Sequence, residues 1–404
     1  MDIAEAALKY AVKNAYEHNG APNLGAVIGK IKALFPETDI KETAAAAKEA
    51  VEKVGKMGKK EIETLFMNYE KEGFELKPRE EEKGLPELEW AKNEPVVTRF
   101  APNPNAPFHL GNSRAAILSA EYAKKYKGKF VLRLDDTDPK LKLSIDNAEQ
   151  VFVEDLKWLG YAPDEIFFAS DRLGIYFNYM KELAEKGALY SCNCNSEEWS
   201  KNTAKKIACP CREQPKEATM KALLEMKEHT MKEGQAVLRM RTDLQHPDPS
   251  VRDWWIARVV DNPTHPRVKG WHLWPSYNFA SAIDDHDLGT TFIIRGQEHS
   301  QNKVKQEYLY KYMGWTYPHI SHIGRVKLEG AVLSKSQINK GIKEGLYTGY
   351  DDPRLGTIRA LRRRGFRAET IVETIQELGL KSSDTTVQWK SLAAKNRKYL
   401  ENAP

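Results

Sequence analysis

From Glu94 onward the chain alternates short apolar runs with helix-like stretches, and this alternation leaves few folds open. Val96-Val97-Thr98-Arg99-Phe100 reads as a buried strand, followed by a Pro/Asn loop and a helix over Leu110–Tyr126 that Gly128 stops. Phe130-Val131-Leu132-Arg133-Leu134 is the next strand, Ser144–Leu159 the next helix, and Ile166-Phe167-Phe168 another short strand. Strands joined by helical crossovers of this length run parallel, so a doubly wound, Rossmann-like α/β sheet is expected. The alternation breaks from about 188 to 275, which reads as an α+β insertion, and resumes at Thr291-Phe292-Ile293-Ile294-Arg295 and Ser300–Met313. The last sixty residues read as helical, with Arg362-Arg363-Arg364-Gly365 closing one helix.

At 404 residues the chain is too long for a single core. Residues 1–78 read as helical and self-contained: Ala6, Ala7, Tyr10, Ala11 and Tyr16 recur at helical spacing, and Gly20-Ala21-Pro22-Asn23 punctuates the first helix. No chemistry is visible there, which fits an appendage that stabilises the chain or docks another protein. Glu80-Glu81-Glu82-Lys83-Gly84-Leu85-Pro86 reads as a charged linker. The expected division is 1–92 for appendage and linker and 93–187 for the first half of the sheet domain. It continues with 188–275 for the insertion, 276–340 for the second half and 341–404 for a basic helical domain. No window of eighteen apolar residues exists and Met1-Asp2-Ile3-Ala4-Glu5 is no signal peptide, so a cytoplasmic protein with no membrane contact is expected. The net charge of +5 names no partner, but its placement is informative. From Arg354 onward eleven Lys/Arg face five acids, a local net charge of +6. That excess suits a phosphate backbone; a solvated helical face accounts for it equally well.

Two short stretches suit phosphate chemistry. His109-Leu110-Gly111-Asn112 follows a strand and opens a helix, whose free N–H groups and positive dipole end form an anion site. Gly111 has no side chain, so a flat ring can lie against the backbone there, and His109 can donate to a phosphate oxygen. Far downstream, Val332-Leu333-Ser334-Lys335-Ser336 supplies a lysine flanked by hydroxyls on a loop containing Gly330. Lys335 can meet a leaving pyrophosphate as a point charge, with Ser334 and Ser336 as further donors. Singly, each stretch also reads as a chance histidine at a helix start and a surface Lys-Ser loop.

All four cysteines fall within twenty residues, as Cys192-Asn193-Cys194 and Cys209-Pro210-Cys211. Two Cys-x-Cys pairs converging across a short loop can give a tetrahedral thiolate set for a structural Zn2+, with no open coordination position. Two disulfides, or plain buried thiols, are the alternatives.

Arg99-Phe100-Ala101-Pro102-Asn103-Pro104, the His109 stretch and Arg133-Leu134-Asp135-Asp136-Thr137-Asp138-Pro139 together carry a resemblance. Trp158-Leu159-Gly160, Trp274-Pro275-Ser276-Tyr277-Asn278-Phe279-Ala280, the Lys335 stretch and Asp351-Asp352-Pro353-Arg354 extend it over roughly 94–400. The chain resembles the glutamyl/glutaminyl branch of the class I aminoacyl-tRNA synthetases, and its leading helices and Leu-Ser-Lys-Ser spelling resemble the archaeal subtype. The two signatures are degenerate spellings of His-Ile-Gly-His and Lys-Met-Ser-Lys-Ser. Asn112 replaces the second histidine, and Val332 replaces the first lysine, leaving Lys335 to stabilise the transition state. The resemblance implies ATP with Mg2+, L-glutamate and tRNA as partners, with His109, Asn112 and Lys335 catalytic. Pro102, Gly111, Glu298, Ser334 and Ser336 would face ATP, Glu298 at the ribose.

Arg99, Ala101, Asn103, Asp135, Tyr277, Ser281 and Arg295 would face glutamate by the same resemblance. Arg99 would pair with a substrate carboxylate, Asp135 would hold the α-amino group and Tyr277 would add a hydroxyl. Ser281 stands where bacterial glutamate enzymes usually have asparagine. Arg295 separates glutamate from glutamine enzymes, which tend to carry cysteine there; an ion pair with Asp284 or Asp285 is its structural alternative. The insertion would grip the tRNA acceptor end, with at most one or two of Trp254, Trp255, Trp271 and Trp274 stacked on unpaired bases. Relatives of this subtype continue into two anticodon-reading β-barrels, and nothing after Arg354 has such a pattern. The expectation is therefore a catalytic portion, either truncated or naturally short, that charges tRNA(Glu) and needs bound tRNA before it activates glutamate. Whether tRNA(Gln) is also a substrate stays open. A glutaminyl-tRNA synthetase, a paralogue that attaches glutamate to a tRNA base, and a catalytically silent tRNA- or protein-binding module are the rival readings.

Overall fold

The computed structural model describes residues 2–17, 20–35, 38–71 and 85–401, and the chain forms two compact units, Met1–Glu82 and Lys83–Pro404. Among the described residues of the first unit, four helices follow one another: α1 (Ile3–Glu17), α2 (Leu24–Leu34), α3 (Ile40–Gly55) and α4 (Lys59–Lys71). Asn23 caps α2 by accepting from the Ala26 amide at 3.0 Å, and Asp39 accepts from Lys41 at 2.7 Å to start α3. Ala7, Ala11, Val12 and Ala15 of α1 share a core with Ala47, Ala50 and Val54 of α3, small side chains that let two helices lie close. Most of the charged linker, Glu80 to Gly84, lies outside the described residues.

The second unit opens with β1 (Val97–Phe100), α5 (Leu110–Lys125), β2 (Lys129–Leu134), α6 (Ala148–Trp158), β3 (Glu165–Phe168) and α7 (Leu173–Glu185). The insertion follows: β4 (Leu189–Cys192), α8 (Ser196–Ala204), α9 (Lys216–Lys227), β5 (Val237–Met240), β6 (Trp255–Val259) and β7 (Leu273–Pro275). The first fold then resumes with α10 (Tyr277–Asp287), β8 (Phe292–Gly296), α11 (Ser300–Met313), β9 (His319–Ile323) and β10 (Val326–Leu328). Last come α12 (Lys335–Lys343), α13 (Ile358–Arg363), α14 (Ala368–Leu378), β11 (Thr385–Val387) and α15 (Trp389–Glu401).

The central sheet is parallel, in the order β3-β2-β1-β8-β9, so it is the expected doubly wound class. The insertion is a separate antiparallel sheet, β4-β5-β6-β7. Gly128 lets the chain turn from α5 into β2: a side chain there would run into the Val96 carbonyl. Two expectations are corrected. The helix expected from Ser144 begins at Ala148, because Asn147 takes a left-handed φ of 53°, which cannot continue a helix backwards. The C-terminal segment is not all helical: Thr385-Thr386-Val387 form β11 and pair in parallel with β10. Buried Arg114 on α5 ties this region down, donating to the carbonyls of Gly324 at 2.7 Å, Gly379 at 2.8 Å and Lys381 at 2.8 Å.

Candidate active site

The strand order reverses between β1 and β8, and in open parallel sheets the crevice at such a point, beyond the carboxyl ends of the strands, is where ligands bind. Arg99 and Arg295 sit near those ends on β1 and β8, and Asp135 follows β2 by one residue. The acids that meet these cations come from α10. Asp285 takes Arg99 Nε at 2.8 Å and Nη2 at 3.3 Å, and Ser281, one turn earlier, donates to it at 3.5 Å. Asp284 accepts from Arg133 Nε, from Arg172 Nε at 2.6 Å and from the Tyr176 hydroxyl at 2.5 Å. Both carboxylates are thereby occupied, and neither pairs with Arg295.

Arg295 is 5% exposed and held by neutral groups. Its Nη1 donates to Gln306 Oε1 at 3.1 Å and its Nη2 to the Tyr317 hydroxyl at 3.3 Å, while Tyr317 donates on to Gln306 at 2.7 Å. Its Nε is buried without a partner among the described residues. Asp135 is the complementary case. Its Oδ1 is buried without a hydrogen bond, with Arg133 Nη2 3.4 Å away, and burial outweighs that attraction to push the carboxyl up to about 6. The Asp135 backbone is laced to the loop after β1: its N–H donates to the Pro102 carbonyl at 2.8 Å and its carbonyl accepts from Asn103 Nδ2 at 3.0 Å. Half-buried Ala101 leads into that loop. Half-buried Tyr277 is the first residue of α10, its ring 5.8 Å from that of His299.

His109 and Asn112 form a reciprocal cap at the start of α5. The Asn112 amide donates to His109 Nδ1 at 3.3 Å, and the His109 amide donates to Asn112 Oδ1 at 2.8 Å. Burial and the nearby Lys335 depress the His109 imidazole to about 4, so it is neutral, with Nδ1 as acceptor and Nε2–H left to donate. A side chain at Gly111 would come within 3.0 Å of the His109 ring and 3.1 Å of the Val326 carbonyl, so these groups occupy the space the glycine leaves.

Lys335 is the first residue of α12; Ser334 precedes it without a capping hydrogen bond, its hydroxyl 3.1 Å from that of Ser336. Its Nζ donates to the Asn103 carbonyl at 2.8 Å and to Asn105 Oδ1 at 3.0 Å. Both phosphate-suited stretches thus converge on the loop that also holds Asp135. Burial, and secondarily Lys142, lower Lys335 to about 8. Glu298 is exposed, 3.6 Å from Arg325, and its carboxylate fills the space beside Gly296.

Residues 95–402 match the family of tRNA synthetases class I (E and Q), catalytic domain. The chain belongs to this family. It is 52% identical over 408 residues to the glutamate–tRNA ligase of Pyrococcus furiosus, covering 99% of this chain and 71% of that one. It is 46% identical over 411 residues to the glutamate–tRNA ligase of Sulfolobus acidocaldarius, with the same coverage. Among solved structures it is similar in fold to a glutamate tRNA ligase of Elizabethkingia meningosepticum in complex with its amino acid. That likeness has TM-score 0.56 and 23% identity, covering 77% of this chain and 70% of that one.

Elsewhere in this synthetase the cysteines do converge. Their four sulfurs lie within 4.8 Å of one another, with Cys192–Cys209 at 3.8 Å and Cys194–Cys211 at 3.6 Å, and none is in a disulfide. Four sulfurs each about 2.3 Å from a tetrahedral zinc stand roughly 3.8 Å apart, so the set fits that ion. Of the four tryptophans of the insertion, Trp254 and Trp274 are core residues at 4% and 1% exposure, and Trp271 is half-buried under Lys227. Trp255 on β6 is 40% exposed, with the Arg258 guanidinium 5.5 Å from its ring. Much of the basic C-terminal charge is spent internally: Arg354 on Asp352, Arg359 on Glu154 and Asp155, Arg363 on Asp351 and Lys395 on Glu377. No helix among the described residues is long and apolar enough to cross a membrane.

The sequence reading did not reach Gln306 and Tyr317, which hold Arg295, or the roles of Asp284 and Asp285. The two acids carried a usable signal: adjacent carboxylates in a helix otherwise lined by Phe279, Ala280, Ala282 and Ile283 imply buried cations opposite. Gln306 and Tyr317 carried none.

Proposed function

We infer that this chain is a glutamate–tRNA ligase that activates L-glutamate with ATP and passes it to the 3′ end of tRNA(Glu). Arg295 carries the reading: a buried guanidinium with only neutral partners lacks an anion, and the γ-carboxylate of glutamate supplies one. Glutamine would leave that charge uncompensated, a discrimination of the kind that needs no editing. Asp135, with a carboxylate oxygen free of hydrogen bonds, takes the α-ammonium, and Tyr277 adds its hydroxyl beside it. A substrate α-carboxylate oxygen then attacks the α-phosphorus of Mg2+-bound ATP, the bond to pyrophosphate breaks, and glutamyl-adenylate forms. His109 donates from Nε2 and Lys335 places its charge where pyrophosphate departs; with ATP bound, Lys335 exchanges its two asparagine acceptors for phosphate oxygens. In the second step a hydroxyl of the terminal adenosine attacks the acyl carbon and AMP leaves. Cys192, Cys194, Cys209 and Cys211 would hold Zn2+ as a structural brace of the insertion, which lies against the acceptor end, with Trp255 as a stacking surface.

The test is amino-acid-dependent ATP–pyrophosphate exchange with and without tRNA. Exchange is expected with glutamate, at least 100-fold weaker with glutamine, and lost in Arg295→Gln. Equal exchange with glutamine refutes the assignment and favours the glutaminyl alternative, whereas an Arg295→Gln enzyme with intact glutamate preference refutes the role of Arg295.

A further inference from the structure

The connection from β6 to β7 leaves the insertion sheet and lies along the loops that follow β2 and β3. Three successive anchors hold it. The Thr264 amide donates to the Pro139 carbonyl at 2.8 Å, His265 Nε2 bonds the Asp136 carbonyl at 2.8 Å, and Arg267 Nη2 reaches Asp171 at 2.7 Å. The Arg267 guanidinium also lies 3.7 Å over the Phe168 ring.

His265 is the buried centre of this strap, at 1% exposure, with its ring 5.3 Å from that of Trp274 on β7. Its Nδ1 accepts from the Arg267 amide at 3.3 Å, so both nitrogens have a role in the neutral ring: Nδ1 accepts and Nε2–H donates. Asp136 is also held from the other side, accepting from the Ser170 amide at 2.8 Å and hydroxyl at 2.7 Å. The 135–136 backbone is therefore gripped by the Pro102 carbonyl and Asn103 Nδ2 from the catalytic sheet, and by His265 from the insertion. The buried Asp135 carboxylate has one oxygen free of hydrogen bonds, with Arg133 Nη2 3.4 Å from it, so its direction is set by that ion pair and by the backbone that carries it.

We propose that His265 is a positioning residue for glutamate activation: through the Asp136 carbonyl, the insertion sets the Asp135 carboxylate against the substrate ammonium. The inference rests on Asp135 as the ammonium site. It gives the insertion, and any RNA end bound to it, a direct mechanical connection to the amino-acid crevice.

Exchange kinetics of the full chain with tRNA present, on His265→Leu, His265→Gln and Asp135→Asn, test this. His265→Leu keeps bulk and loses the donor; it is expected to raise KM for glutamate at least tenfold with KM for ATP within twofold of wild type. His265→Gln, whose amide reaches the Nε2 position, is expected to recover to within threefold. If His265→Leu does not fold, His265→Asn replaces it, since its shorter amide cannot reach the Asp136 carbonyl. An unchanged glutamate KM, a parallel rise in both KM values, or no rescue by glutamine overturns the proposal. If Asp135→Asn raises the glutamate KM while the His265 variants do not, the positioning role alone falls. If Asp135→Asn leaves it unchanged, the ammonium-site reading falls and takes this one with it.

Discussion

Replacing Asp135 by asparagine is expected to stabilise the ligand-free enzyme while disabling it. The Asp135 carboxyl is 6% exposed and stands at about 6 against an ordinary 3.8, with burial the largest cause and Arg133 the main opposing attraction. About two units correspond to roughly 3 kcal/mol of penalty on the ionised form in the fold. The sign follows from proton counting. Below about pH 4 both folded and unfolded chains hold the proton and no penalty exists. As pH rises from about 4 to 6 the unfolded chain releases it first, so stability falls, and above 6 the whole penalty is present. Asparagine carries no such charge, so the variant should gain about 1 kcal/mol at pH 4.5 and about 3 kcal/mol at pH 7.5 relative to wild type.

Urea unfolding followed by tryptophan fluorescence reads this in the right place, because all nine tryptophans, from Trp90 to Trp389, lie in the second unit. Glutamate should raise the unfolding midpoint of wild type and leave the variant where it is, since the ammonium has lost its carboxylate. A variant less stable than wild type at pH 7.5, or a difference that does not change with pH, would refute the account of Asp135 as a buried charge that Arg133 offsets only in part.

Two further outcomes test the rest of the machinery. Lys335, lowered to about 8, should lose its proton and its function as pH rises through that value, so kcat/KM for ATP should fall above pH 8. Lys335→Arg should move that limb upward, because guanidinium does not titrate there, and Lys335→Ala should cut the activation rate at least 100-fold with little change in ATP affinity; near-normal exchange in the alanine variant would end its assigned role. Purified protein should contain one zinc per chain, and Cys209→Ser should lose it together with most tRNA affinity; metal-free native protein that binds tRNA normally would contradict the brace.

The sheet was legible in the sequence wherever an apolar run met a glycine or a turn. β1, β2, β3 and β8 lie within a residue or two of the runs that announce them, because Val, Ile and Phe at those spacings have no other way to be buried. What escaped were features decided by one backbone angle or by distant partners. Asn147 in a left-handed conformation delays α6, and Thr385–Val387 is too short to show a period and exists because β10 offers an edge. The motif residues of the site were legible because they cluster along the chain. Their partners were not: Arg99 meets Asp285 across 186 positions and Arg133 meets Asp284 across 151, and no local pattern records such a pairing.

Those distant pairs decide which charges the crevice offers. Glutamate brings one cation and two anions. Arg99 is already neutralised by Asp285, and Asp284 takes Arg133 and Arg172; Asp135, whose Oδ1 has only Arg133 Nη2 at 3.4 Å and no hydrogen bond, and Arg295, held by neutral groups, are left the least compensated of these charges among the described residues. Assigning the ammonium to Asp135 and the γ-carboxylate to Arg295 leaves the α-carboxylate to Arg99. Arg99 can then orient that group as a donor, since its Nε and Nη2 are committed to Asp285, without holding it as a counter-ion. A carboxylate tied up in a buried salt bridge is a poor nucleophile, whereas one that is only oriented keeps its electron pairs for the α-phosphorus. On the proposed assignment, the internal pairing of Arg99 would let the crevice hold a substrate with two carboxylates by one of them and leave the other free to react.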